Sequence, residues 1–300
     1  MKWPLQSKAV STADIPFFNQ HYLCTSGSGS PDSTIVWTSE IDWQNIADYA
    51  QQYQQHHTRF INTTHILVQA IGQSLADHPE MNRRVVGRRV YQFKECNICV
   101  GTRVPGDKEV YIIQVHQADD RPLYQIAHII MMKQLEYARK NSRERRDLAR
   151  FRKLPGWLLR MTMRTSDWLD RNFVMPVTGR IDRLRESGVL VNDFSSNRFP
   201  IMRSYKPSRQ PGENKPISVT LGRPDDRVVM VNGVVTSKKI APITIRADHR
   251  ICDGFQLAQF VKSVVTKLNR PAEMETAISD PLILPFNANQ VPQENPRKIA

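Results

Sequence analysis

Three observations predict a mixed α/β fold, one large mixed sheet covered by helices. Segments with period-two alternation interleave along the chain with segments carrying apolar residues at helical spacing. The helical segments show an apolar stripe, which needs a flat apolar partner such as a sheet face. Finally, 300 residues with 40% hydrophobic and 24% charged composition suit one large soluble domain or two small ones.

Residues 1–33 read as an irregular N-terminal segment, with Gly27-Ser28-Gly29-Ser30-Pro31 as a turn or loop. From Thr34 to Trp43 the chain alternates, Ile35, Trp37 and Ser39 opposing Val36 and Thr38, which predicts a strand. Asp42 to Gln55 follows as a helix striped by Ile46, Tyr49 and Tyr53. Asn62-Thr63-Thr64 is an N-cap signal opening a helix through Ile66, Leu67, Ala70, Ile71 and Leu75. That helix ends near Asp77-His78-Pro79, because a residue before proline resists helical geometry. Val85 to Val104 and Val110 to Val115 are β-rich on either side of a Pro105-Gly106-Asp107 turn. Leu123 to Tyr137 is a further amphipathic helix. Strands return at Gly188 to Val191, Ile217 to Leu221, Val228 to Val231 and Lys239 to Ala247, and residues 255–268 form the last helix. The expected organisation is a domain over 34–268, a helical insertion over 139–187 and an extended tail over 269–300.

The net charge is +13 and the pI about 9.8. Nucleic acid, an anionic membrane or a phosphorylated ligand all fit that sign. Residues 139–186 alone hold 14 Lys/Arg against 6 Asp/Glu, more than half the excess. Such localisation argues against a surface that coats nucleic acid. Trp157, Leu158, Met161, Trp168 and Leu169 fall near one helical face there, interleaved with Arg160, Arg164 and Arg171. A helix packed on the fold or a neighbouring subunit, and an interfacial membrane helix, both fit this pattern. The membrane reading makes a lipid acceptor more plausible. No run approaches the ~18 apolar residues of a membrane span, and the start has no secretory h-region. Four cysteines make no disulfide framework. A cytoplasmic protein, at most peripheral to the inner face of a membrane, is expected. Cys96-Asn97-Ile98-Cys99 is a lone C-x-x-C, lacking the second pair that zinc needs, so no metal is expected.

The chemistry concentrates at Ile243-Thr244-Ile245-Arg246-Ala247-Asp248-His249-Arg250-Ile251-Cys252-Asp253-Gly254-Phe255. An alternating strand ends at a histidine, Asp-Gly comes four residues later, and a helix begins. An imidazole at a strand end serves as a general base near neutral pH. Gly254 allows backbone geometry closed to other residues, so that a tight turn folds Asp253 back near His249. On these grounds alone a structural histidine remains the other reading.

His249-Arg250-Ile251-Cys252-Asp253-Gly254 resembles the His-x-x-x-Asp-Gly motif of the CoA-dependent acyltransferase superfamily. Asp248-His249-Arg250 is similar to the form found in the dihydrolipoamide acyltransferases of 2-oxoacid dehydrogenase complexes, and Cys252-Asp253-Gly254-Phe255 to chloramphenicol acetyltransferase. Asn62 to Asn82, and Val100-Gly101-Thr102 to Ala127, resemble the family's helix with its Pro-Glu-x-Asn turn and its central strands. The resemblance covers about residues 34–138 and 188–268. It implies a chloramphenicol acetyltransferase-like fold and a homotrimer, or a multiple of trimers, with active sites between subunits. It also implies acyl transfer from an acyl-CoA thioester to a small-molecule or lipid acceptor, with His249 as base and coenzyme A as carrier.

In the family Asp253 pairs with an N-terminal arginine, for which residues 1–20 offer no match. The family's strand-end Thr-x-Ser, whose serine binds the oxyanion, has no clear counterpart in Gly188 to Asn197. Asn192 donates there in one register and Ser195 in another. The chain carries no recognisable lipoyl or peripheral-subunit-binding segment. Two alternatives stay open: an inactive trimeric scaffold of this fold, and an adaptor acting through residues 139–186.

Overall fold

The computed structural model describes residues 7–11, 14, 34–57, 59–86, 89–104, 110–139, 142, 146, 155–173, 187–196, 200, 203–204 and 215–276. The turns expected at 27–31 and 105–107 and most of the basic stretch lie outside them.

Ten strands are seen among the described residues. β1 (Ser7–Ala9), β3 (Arg83–Val86) and β4 (Arg89–Phe93) form a small antiparallel sheet in the order β1-β4-β3. β2 (Thr34–Asp42), β5 (Ile98–Arg103), β6 (Val110–Val115), β7 (Val189–Asp193), β8 (Ile217–Leu221), β9 (Asp225–Val231) and β10 (Val234–Asp248) form the large one. Its order is β2-β10-β8-β7-β5-β6, with β9 paired to the first half of β10. β7 runs parallel to β5 and β8, and every other pairing is antiparallel. The expected mixed sheet is therefore present.

Its two faces differ because side chains alternate along each strand. On one face Val189, Val191, Ile217, Val219, Leu221, Ile243, Ile245 and Ala247 are wholly buried. Helices cover it: α1 (Trp43–His57), α2 (Thr63–Asp77), α3 (Leu123–Ala138) and α5 (Gly254–Asn269). α4 (Gly156–Phe173) instead rests against β3. The other face is polar. The strand registers set Asn192, Thr220, Thr244 and Thr38 in one row across four strands.

α1 buries the predicted Ile46, Tyr49 and Tyr53. α2 starts where the N-cap signal placed it. The Asn62 side chain accepts from the His65 N–H at 3.2 Å, and His65 Nδ1 accepts from the Asn62 N–H at 3.1 Å, a reciprocal capping box. α2 is not a one-faced helix: every residue from His65 to Leu75 is buried. Gly72 makes this possible, since a Cβ there would lie 2.6 Å from the Ala118 carbonyl carbon.

Three expectations need correction. The N-terminal segment is not wholly irregular: Ser7–Ala9 pairs with Phe93–Tyr91. Three residues show no alternation to read, and the neighbouring strand supplies their hydrogen bonds. The region from 269 is not simply extended: α6 (Pro271–Thr276) begins with a proline suited to a first helical turn. It buries Glu275, whose carboxylate accepts from Gln69 Nε2 (2.8 Å) and the Leu123 N–H (2.9 Å). Finally, the strands expected at 228–231 and 239–247 are longer and form a hairpin. Asn232 and Gly233 turn it with φ of 52° and 81°, the geometry Asn-Gly favours. The hairpin leaves Val228, Met230, Val234 and Val235 exposed.

Candidate acyltransfer site

β10 delivers Asp248 and His249 to one end of the sheet, and the chain then turns into α5. The turn closes with the Ile251 N–H donating to the Asp248 carbonyl at 3.0 Å. Asp248 and Arg250, both buried, clamp it: Arg250 Nε donates to Asp248 Oδ1 at 2.9 Å and Nη2 to Oδ2 at 2.5 Å. The Arg250 N–H donates to the same carboxylate at 3.0 Å. Fork-to-carboxylate bonding of this kind is geometrically specific as well as strong. The motif gave no separate role to this pair; an aspartate two residues before an arginine at a strand end was the available signal.

His249 is half-buried, and its Nδ1 lies 2.8 Å from the Cys252 carbonyl oxygen. A carbonyl oxygen only accepts, so Nδ1 carries the proton and donates. The lone pair is thereby assigned to Nε2. Cys252 is buried, and burial raises its thiol pKa, with Asp248 and Asp253 adding to the effect. That environment disfavours the thiolate.

Asp253 caps α5. Its Oδ1 accepts from the Gln256 N–H at 2.7 Å, and Gln256 Oε1 accepts from the Asp253 N–H at 3.0 Å. Among the described residues the arginine beside this turn, Arg250, pairs with Asp248. Gly254 departs from the expectation: it is the first residue of α5, without a left-handed φ, and a Cβ there meets nothing within 4 Å. The turn owes its shape to the Asp248 clamp, not to glycine freedom.

Asn192 and Ser195 lie elsewhere. Ala247 is opposite Ile217, which is opposite Val189. Asn192 is three residues further along β7, roughly 10 Å down the sheet and two strand spacings across. Ser195 is further still, with its N–H held by Asp193 Oδ1 at 2.9 Å. The same Asp193 accepts from Thr64 Oγ1 at 2.7 Å, which ties the end of β7 to the start of α2. Asn192 Oδ1 would lie 3.0 Å from a Cβ built at Gly101 of β5. Within one chain, then, the structure brings His249 and Asp253 together at one turn and leaves Asn192 and Ser195 towards the opposite end of the sheet.

A cleft of about 610 Å³ opens at the C-terminal end of α5, between Asp77, Lys94, Asp119, Lys267 and Arg270. Sixteen residues of helix, about 24 Å, separate it from the His249 turn. Cys96 and Cys99 are both buried, and no cluster of potential metal ligands occurs among the described residues.

The sequence profile of the 2-oxoacid dehydrogenases acyltransferase (catalytic domain) family matches residues 23–150 and 217–276, more than half of the chain and including the His249 turn. The chain belongs to this family. As an acyltransferase domain it shares its fold with solved relatives. A probable dihydrolipoamide acetyltransferase from Listeria monocytogenes 4b F2365 superposes with a TM-score of 0.57 at 14% identity, over 89% of this chain and 92% of that one. The dihydrolipoamide acetyltransferase of Azotobacter vinelandii gives 0.56 at 11% identity, over 88% and 93%. A chloramphenicol acetyltransferase gives 0.52 at 13% identity, over 87% and 99%. At these identities the likeness is one of fold, and the fold is chloramphenicol acetyltransferase-like. No match was found among curated protein sequences.

Proposed function

We propose that this acyltransferase domain moves an acyl group from an acyl-CoA thioester to a small-molecule or lipid acceptor, with His249 as general base. The observation that carries the reading is the 2.8 Å contact between His249 Nδ1 and the Cys252 carbonyl, which leaves Nε2 as the basic nitrogen. Nε2 takes the proton from the acceptor hydroxyl, thiol or amine as that atom attacks the thioester carbonyl. The C–S bond then breaks, and the imidazolium returns its proton to the departing CoA sulfur. No acyl-enzyme forms. Asp253 fixes the start of α5 and so the turn that carries the imidazole.

The oxyanion donor in this reading is the Asn192 amide of a neighbouring subunit, with Ser195 as the competing donor. Three observations support a site completed by another copy in a homotrimer. Asn192 is remote from His249 within the chain. Gly254 leaves open space beside the turn. Phe255, 73% exposed, stands next to it. The Azotobacter structure addresses a serine, a histidine and an asparagine in that enzyme's catalytic mechanism, the asparagine four positions after the histidine. Asp253 stands four positions after His249.

Thiol release from short- to long-chain acyl-CoAs, with pooled metabolites and lipids as acceptors, tests the proposal. His249→Ala is expected to lower the rate by about 10²–10⁴-fold, with stability reduced only by about the 0.5–1.5 kcal/mol of one lost hydrogen bond. Absence of His249-dependent release, together with absence of acyl-CoA binding by thermal shift, would overturn it in favour of a scaffold.

A further inference from the structure

α4 presents an apolar stripe that neither the site nor the core uses. Trp157 (67% exposed), Met161 (52%) and Trp168 (56%) stand at i, i+4 and i+11, with the exposed Arg164 at i+7. At about 100° per residue these four lie within roughly 60° of one another, along about 17 Å of helix. Leu158 and Leu169, about 100° further round, are half-buried and mark the side turned to the body.

We propose that the Trp157–Trp168 stripe of α4 is a docking surface for an anionic lipid bilayer. Indole rings combine an apolar body with a polar N–H and favour the headgroup zone. Arg164 within the stripe matches anionic headgroups, and α4 lies in the part of the sequence, residues 139–186, that carries a net charge of +8. No helix among the described residues is long and apolar enough to cross a membrane, so the contact is interfacial. It brings the protein to lipid without insertion, independently of any role for His249.

Flotation of the full chain with phosphatidylcholine vesicles, with and without about one third phosphatidylglycerol, is the test. Binding is expected to the anionic vesicles alone and to weaken about tenfold or more at high salt. Trp157→Ala/Trp168→Ala is expected to abolish it, and Arg164→Glu to weaken it with the apolar stripe intact. Arg164→Glu should keep the wild-type thermal midpoint, because its side chain is exposed. Two outcomes would overturn the proposal: the chain fails to float, or flotation is untouched by the double tryptophan variant, in which case a smaller oligomer on gel filtration would mark an interface between copies.

Discussion

Gly101→Ala probes whether the Asn192 amide is held in place by its neighbour on β5. A methyl at 101 would lie 3.0 Å from Asn192 Oδ1, about half an ångström inside ordinary carbon contact. Overpacking of this kind costs about 1–3 kcal/mol, partly offset by the ~0.5–1 kcal/mol that alanine gains over glycine in a strand. The net loss of stability is therefore about 0–2.5 kcal/mol. The effect on rate is larger. Removing an oxyanion donor altogether costs about 2.7–4 kcal/mol, and a shift of half an ångström already exceeds a productive site's tolerance. A roughly tenfold fall in kcat, about 1.4 kcal/mol, is expected with KM for acyl-CoA unchanged. Asn192→Ser, with its shorter side chain, frees the space, so Gly101→Ala/Asn192→Ser should show no further loss relative to Asn192→Ser alone. The assay is thiol release under saturating acyl-CoA, with thermal midpoints alongside. If Asn192→Ala lowers kcat and Gly101→Ala does not, the packing argument is refuted. If neither does, Asn192 is not the donor, and His249 stands or falls on its own variant.

Burial lowers the His65 pKa from 6.5 to about 4. The unfolded chain therefore binds an extra proton between those values, and stability present above pH 6.5 drains away as pH falls to 4, by about 3 kcal/mol. His65→Gln keeps an acceptor for the Asn62 N–H without titrating, so its urea midpoint should fall less than wild type's over pH 7 to 4; parallel curves would exclude His65 as the source. Gly72→Ala raises helix propensity by ~1 kcal/mol, yet its methyl meets the Ala118–Asp119 backbone at 2.6–2.7 Å. The variant should lower the urea midpoint, and a stabilised Gly72→Ala would contradict the close approach of α2 to that turn. Asp248→Ala strands the buried Arg250 guanidinium and should cost about 3–5 kcal/mol; a loss under ~1 kcal/mol, read from urea unfolding, would mean the clamp is dispensable. Asp253→Asn should retain the α5 cap and most stability, whereas Asp253→Ala should lose about 0.5–2 kcal/mol. Equal thermal midpoints for the two would show that the cap contributes nothing.

Elements with a strong local signature were legible in the sequence. The stripe Ile46, Tyr49 and Tyr53, the Asn62 cap and the strand end just before His249 lie close to where periodicity and capping placed them. Elements defined by a distant partner were not. Ser7–Ala9 is a strand only because β4 pairs with it, and α6 is anchored by Glu275 reaching Gln69 and Leu123. The Asn232-Gly233 hairpin was legible in principle, since Asn-Gly between valines is the signal for it. At the site the motif located the histidine but misassigned the turn. Gly254 drew attention as the flexible residue, while the Asp248–Arg250 clamp holds the geometry. Which ring nitrogen carries the proton depends on the Cys252 carbonyl, an atom common to every residue type and therefore invisible to motif reading.

Three of the contacts that shape the His249 turn join residues close in sequence: the Asp248–Arg250 clamp, the ring-to-carbonyl contact and the Asp253–Gln256 cap. Much of the presentation of the imidazole is thus inherited with one short segment, which the Asp248 N–H ties to the rest of the sheet through the Pro216 carbonyl at 2.9 Å. What faces it is set by the rest of the sheet and by other molecules. Substrate preference is then free to drift over evolutionary time through changes far from the histidine, while the motif itself stays unaltered. A chain can keep every residue of this turn after its substrate, or even its catalysis, has changed.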